Sequence, residues 1–330
     1  MEKVDIKNDN ILEVKNLKKY YPISNFNIGS KKSYVKAVDD VSFSIKRGTT
    51  MGLVGESGCG KTTVGRTILR LHDITGGQVI FDGHDLARVP SGKLRKMRPQ
   101  MQMIFQDPYS SLSPRLPVGE IIGEAVKEHN IVPKSQYKSY ILKVMRDCGL
   151  QPQYFYRYPH EFSGGQRQRI SIARAVALNP KFIICDEPLS ALDVSIQAQI
   201  INLMKDLQEQ YGYTYLFISH DLSVVEYISD TIGVMYLGSM MEIGDKKRIF
   251  DNPMHPYTKA LLSAVPISDP DVKMNRIILS GDIPSPANPP SGCKFRTRCE
   301  SCMEVCSQKV PKLKEYEDGH MVACHLYSQD

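Results

Sequence analysis

The feature that most constrains this chain is the run GESGCGKTT at residues 55–63. It matches the pattern G-x-x-x-x-G-K-[ST], in which glycines let the backbone curl and successive N–H groups converge on phosphate oxygens at a helix N-terminus. The apolar run TMGLVG leads into it and the helical pattern KTTVGRTILRL follows from its lysine. This context predicts a phosphate-binding loop, with Lys61 as a mobile charge and Thr62 as a Mg²⁺ ligand. The alternative is a glycine-rich turn that binds nothing.

A phosphate-binding loop of this kind needs an acidic strand end to hold Mg²⁺ and to activate water. The run KFIICDEP at residues 181–188 provides one. Asp186 follows four apolar residues, so we expect it at the carboxyl edge of a parallel sheet, where ligands bind in α/β folds. Glu187 is then placed to orient or deprotonate a water molecule. An acidic strand-to-loop turn closed by Pro188 is the alternative.

The chain as a whole has an α/β pattern. Short apolar runs predict buried strands, and amphipathic segments such as QAQIINLMKDLQEQYG, at residues 197–212, predict helices between them. This alternation predicts a largely parallel sheet with covered faces. From about Met254 prolines recur and cysteines begin, so we place a domain boundary near residue 250. The strand-like runs are FIIC at 182–185, YLFIS at 215–219 and TIGVMYLG at 231–238.

Composition excludes several classes of protein. The chain has 330 residues, of which 42% are hydrophobic, which is enough for a large core. Its first ten residues, MEKVDIKNDN, are mostly polar and include no apolar run. No later stretch approaches the roughly 18 uninterrupted apolar residues that a membrane span requires, so a cytosolic protein is expected. The net charge of +6 comes from Lys and Arg spread along the sequence. This distribution favours a solvated basic surface over nucleic-acid binding.

Further motifs in the sequence resemble those of a known protein family. The segment HEFSGGQRQRISIARAVALNP at 160–180 resembles the signature segment of ATP-binding-cassette (ABC) ATPases. Gln106 in MIFQDP resembles the family's Q-loop glutamine, Asp193 in SALD its D-loop, and His220 in FISHD its switch histidine. With the two nucleotide motifs, six elements follow the family's order between residues 55 and 220. The resemblance covers residues ~11 to 250.

The resemblance implies a fold and a set of roles. The fold is a P-loop ABC nucleotide-binding domain at 1–250, with a mostly parallel core sheet, an antiparallel β subdomain and a helical subdomain at about 108–178; a Cys-rich extension occupies 251–330. Lys61, Glu187 and His220 are the expected catalytic residues, with His220 at the γ-phosphate. Mg²⁺ is expected at Thr62, Gln106 and Asp186. The loop residues expected to bind ATP are Gly55, Glu56, Ser57, Gly58, Cys59, Gly60, Lys61, Thr62 and Thr63.

The signature residues Ser163, Gly164, Gly165 and Gln166 form a second expected anion site. They are mostly small, and their backbone donors can face a phosphate ahead of a helix expected to begin near Arg167. In the family, each ATP is sandwiched between the P-loop of one ATPase domain and the signature of another, so activity requires a dimer. Phe162 precedes the signature where many relatives have leucine, and both are apolar.

Adenine requires an aromatic face. In NLKKYYP, Tyr21 resembles the residue that stacks on adenine in the family, although Tyr20 or Tyr34 could stack instead. A tyrosine that only packs in the core is the other interpretation. Residues 22–34 resemble an insertion relative to compact family members.

Within the family, MQMIFQDPYSSLSPRLPV and NPMHPYTKALLSAVP closely resemble the ATP-binding subunits of oligopeptide and dipeptide importers, in particular their F-type ATPase. This implies a homologous D-type ATPase as partner, two membrane-spanning permease subunits, an extracytoplasmic peptide-binding protein, and a peripheral location on the cytoplasmic membrane face. No nucleic-acid partner is expected. A soluble cassette ATPase with a zinc module acting on nucleic acid or ribosomes is the rival interpretation.

Five cysteines cluster in the tail, four of them in GCKFRTRCESCMEVC at 292–306 and the last in VACH. In the cytosol such clusters favour a metal or redox centre over disulfides. Zinc is typically held by two CxxC-like pairs, and only Cys299 and Cys302 form one. The family's tail pattern implies a [4Fe–4S] cluster on Cys293, Cys299, Cys306 and Cys324, with Cys302 as an extra thiol. Zinc and unligated thiols are the alternatives, and in either metal case the site is expected to staple a core-poor tail.

Overall fold

The computed structural model describes residues 9–23, 33–265, 276–317 and 319–327. The chain forms two compact units. The described residues within 1–11, 45–50 and 88–218 form the first unit, and those within 12–44, 51–87 and 219–330 form the second. Each unit is therefore discontinuous in sequence, and each carries part of the motif set.

The second unit contains two groups of strands. Its antiparallel group has the order β2-β1-β4-β5, and the other has the order β11-β12-β10-β9-β3. In the latter, β3 pairs in parallel with β9, whereas the remaining pairs are antiparallel. The strands are β1 (Asn10–Ile23), β2 (Ser33–Lys46), β3 (Thr50–Val54), β4 (Gly76–Phe81), β5 (His84–Asp85), β9 (Thr231–Tyr236), β10 (Ser239–Asp245), β11 (Lys314–Glu317) and β12 (His320–Val322).

Short helices accompany these strands. Helix α1 (Lys61–Ile68) begins at the lysine of the phosphate-loop motif. Helix α10 (Pro256–Ser263) begins at a proline, which suits the first helical turn because its missing N–H is not needed there. The helices of this unit are α1 (Lys61–Ile68), α8 (Leu222–Ile228), α9 (Lys246–Asp251), α10 (Pro256–Ser263) and α11 (Val305–Gln308), with a 3₁₀ turn at His325–Tyr327.

The first unit has three parallel strands in the order β8-β7-β6 and a set of helices. Strands β7 and β8 are buried along their whole length, which explains their continuous apolar sequences. The elements are α2 (Ser91–Met97), β6 (Met101–Ile104), α3 (Pro108–Ser111), α4 (Val118–Glu128), α5 (Tyr137–Asp147), α6 (Gly164–Val176), β7 (Phe182–Asp186), α7 (Val194–Tyr211) and β8 (Thr214–Ile218). The 3₁₀ turns are Arg98–Gln100, Lys134–Gln136, Pro152–Tyr156 and Pro159–Glu161.

The strand and helix predictions agree with these elements, except at the starts of two helices. The helix expected to begin near Arg167 begins at Gly164, with Ser163 as its N-cap. The helix predicted at 197–212 is α7, which begins earlier, at Val194, and ends where Gly212 adopts a left-handed φ of 71°. Most of the insertion expected at 22–34 lies outside the described residues.

The tail does not fold apart from the second unit's strands. Strand β12 pairs with β10, placing Val322 opposite Glu242, and the Ala323 N–H donates to the carbonyl of Met241 at 2.8 Å. No helix in the described part of the chain has the length and apolar character needed to cross a membrane.

Candidate functional site

The phosphate loop, residues 55–63, lies in the second unit, where it follows β3 and continues from Lys61 into the first turn of α1, as the motif predicts. Lys61 is only 4% exposed. Its ammonium donates to the carbonyl of Gly55 at 2.7 Å and to that of Glu56 at 3.1 Å. The lysine side chain therefore folds back over the start of the loop. Phosphate oxygens would offer it stronger, charge-assisted partners than these neutral carbonyls.

Two positions of the loop require glycine, because backbone atoms of neighbouring segments lie very close to them. A Cβ on Gly60 would lie 2.2 Å from the carbonyl oxygen of Ala37, and Gly60 has a φ of 105°. A Cβ on Gly55 would lie 2.1 Å from the carbonyl oxygen of Met235. Only glycine fits at these positions, because the loop packs directly on neighbouring backbone.

His220 is placed beside the same strand end. The N–H of Ser219 donates to the carbonyl of Leu53, the residue before the last of β3, at 3.3 Å. His220 follows and is exposed. Asp221 then caps α8 by accepting the N–H of Ser223 at 2.9 Å. The cap fixes the chain direction just after the histidine, which leaves the imidazole at the surface of the second unit.

The first unit contains the acidic strand end. Asp186, the last residue of β7, is completely buried, while Glu187 is half-buried and has a φ of 45°. This left-handed conformation is uncommon for a residue with a Cβ and marks a backbone held by its surroundings. The carboxylate of Glu187 accepts a hydrogen bond from the side-chain amide of Gln106 at 3.0 Å. The structure thus brings together two residues that lie far apart in sequence.

The signature residues form the start of α6. Ser163 and Gln166 make a reciprocal capping box, in which the Gln166 N–H donates to the serine hydroxyl at 3.4 Å and the Ser163 N–H donates to the Gln166 side-chain oxygen at 3.1 Å. Gly164 is exposed, whereas a Cβ on Gly165 would lie 2.5 Å from the Ile196 side chain of α7. The helix therefore begins with an exposed Gly164 and packs closely on α7 at Gly165.

Asp193 caps α7. It accepts the N–H of Ile196 at 3.0 Å and the hydroxyl of Ser195 at 2.8 Å. These bonds, the Ile196 N–H first, hold the pKa of Asp193 below its usual value. Asp193 is exposed and ionised at neutral pH, on the same unit as the signature helix and the Glu187–Gln106 pair.

The three candidate tyrosines for adenine have different surroundings. Tyr20 donates its hydroxyl to Asp39, and Lys36 lies 5.7 Å from its ring centre. Tyr21 meets the ring of His72 edge-on at 5.9 Å. Tyr34 is exposed. All three belong to the second unit, which also carries the phosphate loop.

The tail thiols lie near one another. Cys293 and Cys306 are buried, and the Cys293 N–H donates to the Cys306 carbonyl at 2.8 Å. Burial raises the pKa of Cys293 to about 12 and that of Cys324 to about 11, with smaller electrostatic contributions from neighbouring thiols. Burial likewise raises the pKa of Cys299. Among the described residues, no three His, Cys, Asp or Glu side chains are arranged so that they could hold a metal ion.

Residues that sequence reasoning missed also contact the phosphate loop. Arg298 forms an ion pair with Glu56 at 2.8 Å, and the Glu56 N–H donates to the hydroxyl of Tyr257 at 2.9 Å. The sequence draws attention to Arg298 only because it directly precedes Cys299 of the cysteine cluster. A separation of 242 residues between the two members of the ion pair leaves no local pattern.

Comparison with known proteins gives two family matches. The family described as "ABC transporter" matches residues 38–190, and "Oligopeptide/dipeptide transporter, C-terminal region" matches residues 241–306. The oligopeptide transport ATP-binding protein AppF of Bacillus subtilis (strain 168) is 55% identical over 323 residues, covering 97% of this chain and 98% of that protein. The dipeptide transport ATP-binding protein DppF of Escherichia coli (strain K12) is 48% identical over 320 residues, covering 97% and 95%.

Solved structures share the fold. CbiO1 from Clostridium perfringens, described as part of the ABC transporter complex cbiONQ, aligns with a TM-score of 0.64 at 25% identity, covering 74% of this chain and 92% of that one. The cassette MJ0796, a dimer bound to ADP and Pi in a post-hydrolysis state, aligns with a TM-score of 0.62 at 28% identity, covering 71% and 98%. The chain therefore belongs to the ABC transporter ATPases, among the ATP-binding subunits of the oligopeptide/dipeptide type.

Proposed function

We propose that this chain hydrolyses ATP to power the import of oligopeptides or dipeptides through a membrane ABC transporter. The observation that carries the peptide assignment is the near-complete alignment with relatives named oligopeptide and dipeptide transport ATP-binding proteins, extending through the C-terminal region. The chemistry rests on a loop whose glycines are required by packing and on a glutamate paired with a glutamine.

In this proposal ATP is bound between two ATPase subunits. The phosphate loop of one subunit and the α6 N-terminus of the other enclose the nucleotide, since both present backbone donors suited to phosphate. The chain's partners are a homologous D-type ATPase, two permease subunits and an extracytoplasmic peptide-binding protein, and it works at the cytoplasmic membrane face. ATP closes the ATPase pair and hydrolysis reopens it, which shifts the permease between two states.

Specific residues carry the reaction. Lys61 exchanges its loop carbonyls for phosphate oxygens, and Mg²⁺ would be held by Thr62, Asp186 and Gln106. Glu187 orients and deprotonates the attacking water, while His220 contacts the γ-phosphate. Tyr21 stacks on adenine.

A Glu187→Gln variant tests this assignment. Glutamine retains the shape of glutamate and an acceptor for the Gln106 amide, but it cannot accept the proton. We expect ATP to bind with wild-type affinity while hydrolysis by the assembled transporter falls about 10²–10⁴-fold, the usual contribution of a general base. Glu209→Gln, the same change at an exposed position of α7, is the control and should retain wild-type turnover. Normal turnover by Glu187→Gln would contradict the role of Glu187.

Peptide import is tested in vesicles that contain the chain with its companion subunits. We expect ATP hydrolysis to rise when the peptide-binding protein presents peptide, and peptide to accumulate in the compartment that contains the ATPase. Co-purification with nucleic acid or ribosomes, and never with permease subunits, would contradict the importer assignment and favour the soluble cassette.

We also propose a [4Fe–4S] cluster on Cys293, Cys299, Cys306 and Cys324, in a C-terminal extension covering residues 251–330 and attached to a nucleotide-binding domain at residues 1–250. The support is a set of four soft donors close enough to interact electrostatically. Because the described side chains do not form a ready metal site, ligation requires them to turn toward a common centre. Burial raises the pKa of Cys293, Cys299 and Cys324, so these thiols must release protons when a cluster assembles.

The cluster has a direct test. Protein purified without oxygen should be brown, with about four irons and four acid-labile sulfides per chain, as the cluster's composition requires. Replacing Cys293 with serine should lower both contents, whereas replacing the extra thiol Cys302 should not. A colourless protein with one zinc per chain would contradict the proposal.

A further inference from the structure

Three side chains of a short tail segment, residues 293–298, are unexpectedly buried. Phe295 is 1% exposed, and the cations Lys294 and Arg298 are each 9% exposed. Lysine and arginine are rarely buried unless their charge is paired. Arg298 pairs with a residue of the phosphate loop, and Lys294 bonds the turn between β9 and β10, which itself bonds the loop.

Arg298 makes a bidentate ion pair with Glu56, the second residue of the phosphate loop. One guanidinium nitrogen lies 2.8 and 3.1 Å from the two carboxylate oxygens, and the other lies 3.1 Å from one of them. The guanidinium also approaches the hydroxyl of Tyr236 at 3.5 Å. Paired donors of this kind fix orientation as well as distance, which a single lysine ammonium cannot do.

Every polar group of Glu56 has a partner in the second unit. Arg298 binds its carboxylate, Tyr257 accepts its N–H at 2.9 Å, and Lys61 donates to its carbonyl at 3.1 Å. The peptide planes on either side of Glu56 are thereby fixed. Because the loop binds phosphate through backbone N–H groups, fixing these planes determines where its first donors point.

An aromatic cluster of Phe295, Tyr236 and Tyr257 packs next to the Arg298–Glu56 pair. Phe295 packs against Tyr257 and Tyr236, with ring centres 5.3 Å apart in each pair, and the two tyrosines are 4.8 Å apart. Such ring–ring contacts stabilise the folded state by more than the burial of the rings alone. Tyr257, which is fully buried, is therefore held in the position from which its hydroxyl reaches Glu56.

Lys294 provides a second connection. Its ammonium donates to the Leu237 carbonyl at 3.0 Å and to the Ser239 hydroxyl at 2.8 Å, and it pairs with Asp39 at 3.0 Å. The residue between, Gly238, donates its N–H to the carbonyl of Cys59 in the phosphate loop at 2.8 Å. The segment 293–298 thus contacts the loop directly through Arg298 and indirectly through the β9–β10 turn.

We propose that Arg298 is a positioning residue of the nucleotide site, which acts through Glu56 to hold the phosphate loop in its ATP-binding conformation. The inference rests on the proposed ATP-binding function of that loop. A loop that is ordered before ATP arrives binds it more tightly, because the ordering cost is not subtracted from the binding free energy. The tail is accordingly part of the nucleotide site and not only an appendage.

Arg298→Met tests the proposal by removing the charge while keeping a long side chain. We expect the Kd of the full-length chain for a fluorescent ATP analogue, and the KM for ATP of the assembled transporter, to rise about tenfold, corresponding to about 1.4 kcal/mol. The kcat should stay within about twofold, since Arg298 does not touch the reacting atoms. Arg298→Lys, which restores charge but not bidentate geometry, should recover only part of the affinity.

Arg296→Met is the matched control. Arg296 lies two residues away in the same segment, and its guanidinium bonds Ser291 instead of the phosphate loop. It should leave Kd and KM unchanged. Glu56→Gln provides a second route: it should raise Kd about threefold, and the double variant with Arg298→Met should bind no more weakly than Arg298→Met alone, because both changes break the same pair.

The outcomes separate the inference from the proposed function. Wild-type protein that binds no ATP would overturn both. Wild-type binding with unchanged Kd and KM in Arg298→Met would overturn only the inference, and a lower melting temperature with unchanged Kd would assign Arg298 a purely structural role. Additive effects in the double variant would likewise overturn the proposed path through Glu56.

Discussion

At the residue scale, three charged residues of the candidate site and the tail are buried. Lys61, Asp186 and Arg298 are all at most 9% exposed, although charged side chains are seldom buried without a reason. The motifs predicted the first two, because lysine and aspartate occur at fixed positions beside a glycine loop and a strand. Arg298 has no such signature, and only the three-dimensional arrangement connects it with Glu56.

Glycine positions in the phosphate loop give a prediction at this scale. In Gly60→Ala the new Cβ would clash with the Ala37 carbonyl at 2.2 Å and would adopt an unfavourable positive φ. We expect it to lower the free energy of unfolding by about 2–5 kcal/mol and to abolish ATP binding.

Gly58→Ala is the matched change in the same loop. Gly58 also has a positive φ, of 77°, but nothing lies within 4 Å of its Cβ position. Gly58→Ala should lower the free energy of unfolding by only about 1–2 kcal/mol, because it adds backbone strain and no clash. Urea unfolding and binding of a fluorescent ATP analogue measure both variants. Equal losses in the two would show that close backbone approach is not what requires glycine at position 60.

At the element scale, sequence patterns predicted elements better than their ends. Strands β7 and β8 are buried along their length, and their continuous apolar runs made them recognisable. The start of α6 was misplaced by three residues, because two glycines reduce helix propensity and suggest a loop. The capping box overrides that local preference by satisfying the N–H groups of Ser163 and Gln166.

The same cap separates a structural from a functional role for Ser163. Ser163→Ala removes one capping bond and should lower the free energy of unfolding by about 1 kcal/mol. If Ser163 also contacts the ATP of the partner ATPase, hydrolysis by the assembled transporter should fall at least about tenfold, which corresponds to a further 1.4 kcal/mol.

Asp245→Ala is the control for that experiment. It removes the N-cap of α9, where Asp245 accepts the Lys247 N–H at 2.9 Å, and so imposes a comparable loss of stability elsewhere. ATPase assays and thermal melting are compared at a temperature where both variants are folded. If both lose activity in proportion to stability, Ser163 acts only as a helix cap.

At the scale of the whole molecule, what could be predicted depended on sequence separation. Local motifs predicted both halves of the nucleotide machinery, and each of the two units contains one set of these motifs. Contacts between the tail and the phosphate loop could not be predicted. In the sequence, Phe295 and Tyr257 look like ordinary core residues, and only the structure shows that they pack against each other. The cysteine spacing predicts a shared metal cluster, but it carries no information about how the thiols are oriented.

His255 links this packing to the acid stability of the molecule. Its ring is buried against Phe295, and its Nδ1 accepts the N–H of Tyr257 at the start of α10, a bond that requires an unprotonated nitrogen. Burial lowers the pKa of His255 from 6.5 to about 3. Between these values the unfolded chain takes up a proton that the folded chain excludes, so stability is complete above pH 6.5 and declines as the pH falls toward 3.

Asparagine at position 255 isolates this effect, because its side-chain oxygen can still cap α10 but does not titrate. We expect wild-type protein to lose about 2 kcal/mol more of its free energy of unfolding than His255→Asn between pH 7.5 and pH 5, where other groups titrate equally in both. Urea unfolding at both pH values measures the difference. Parallel losses would mean that His255 takes up its proton in the folded state, and the aromatic cluster beneath the phosphate loop would then have to accommodate a charged imidazole.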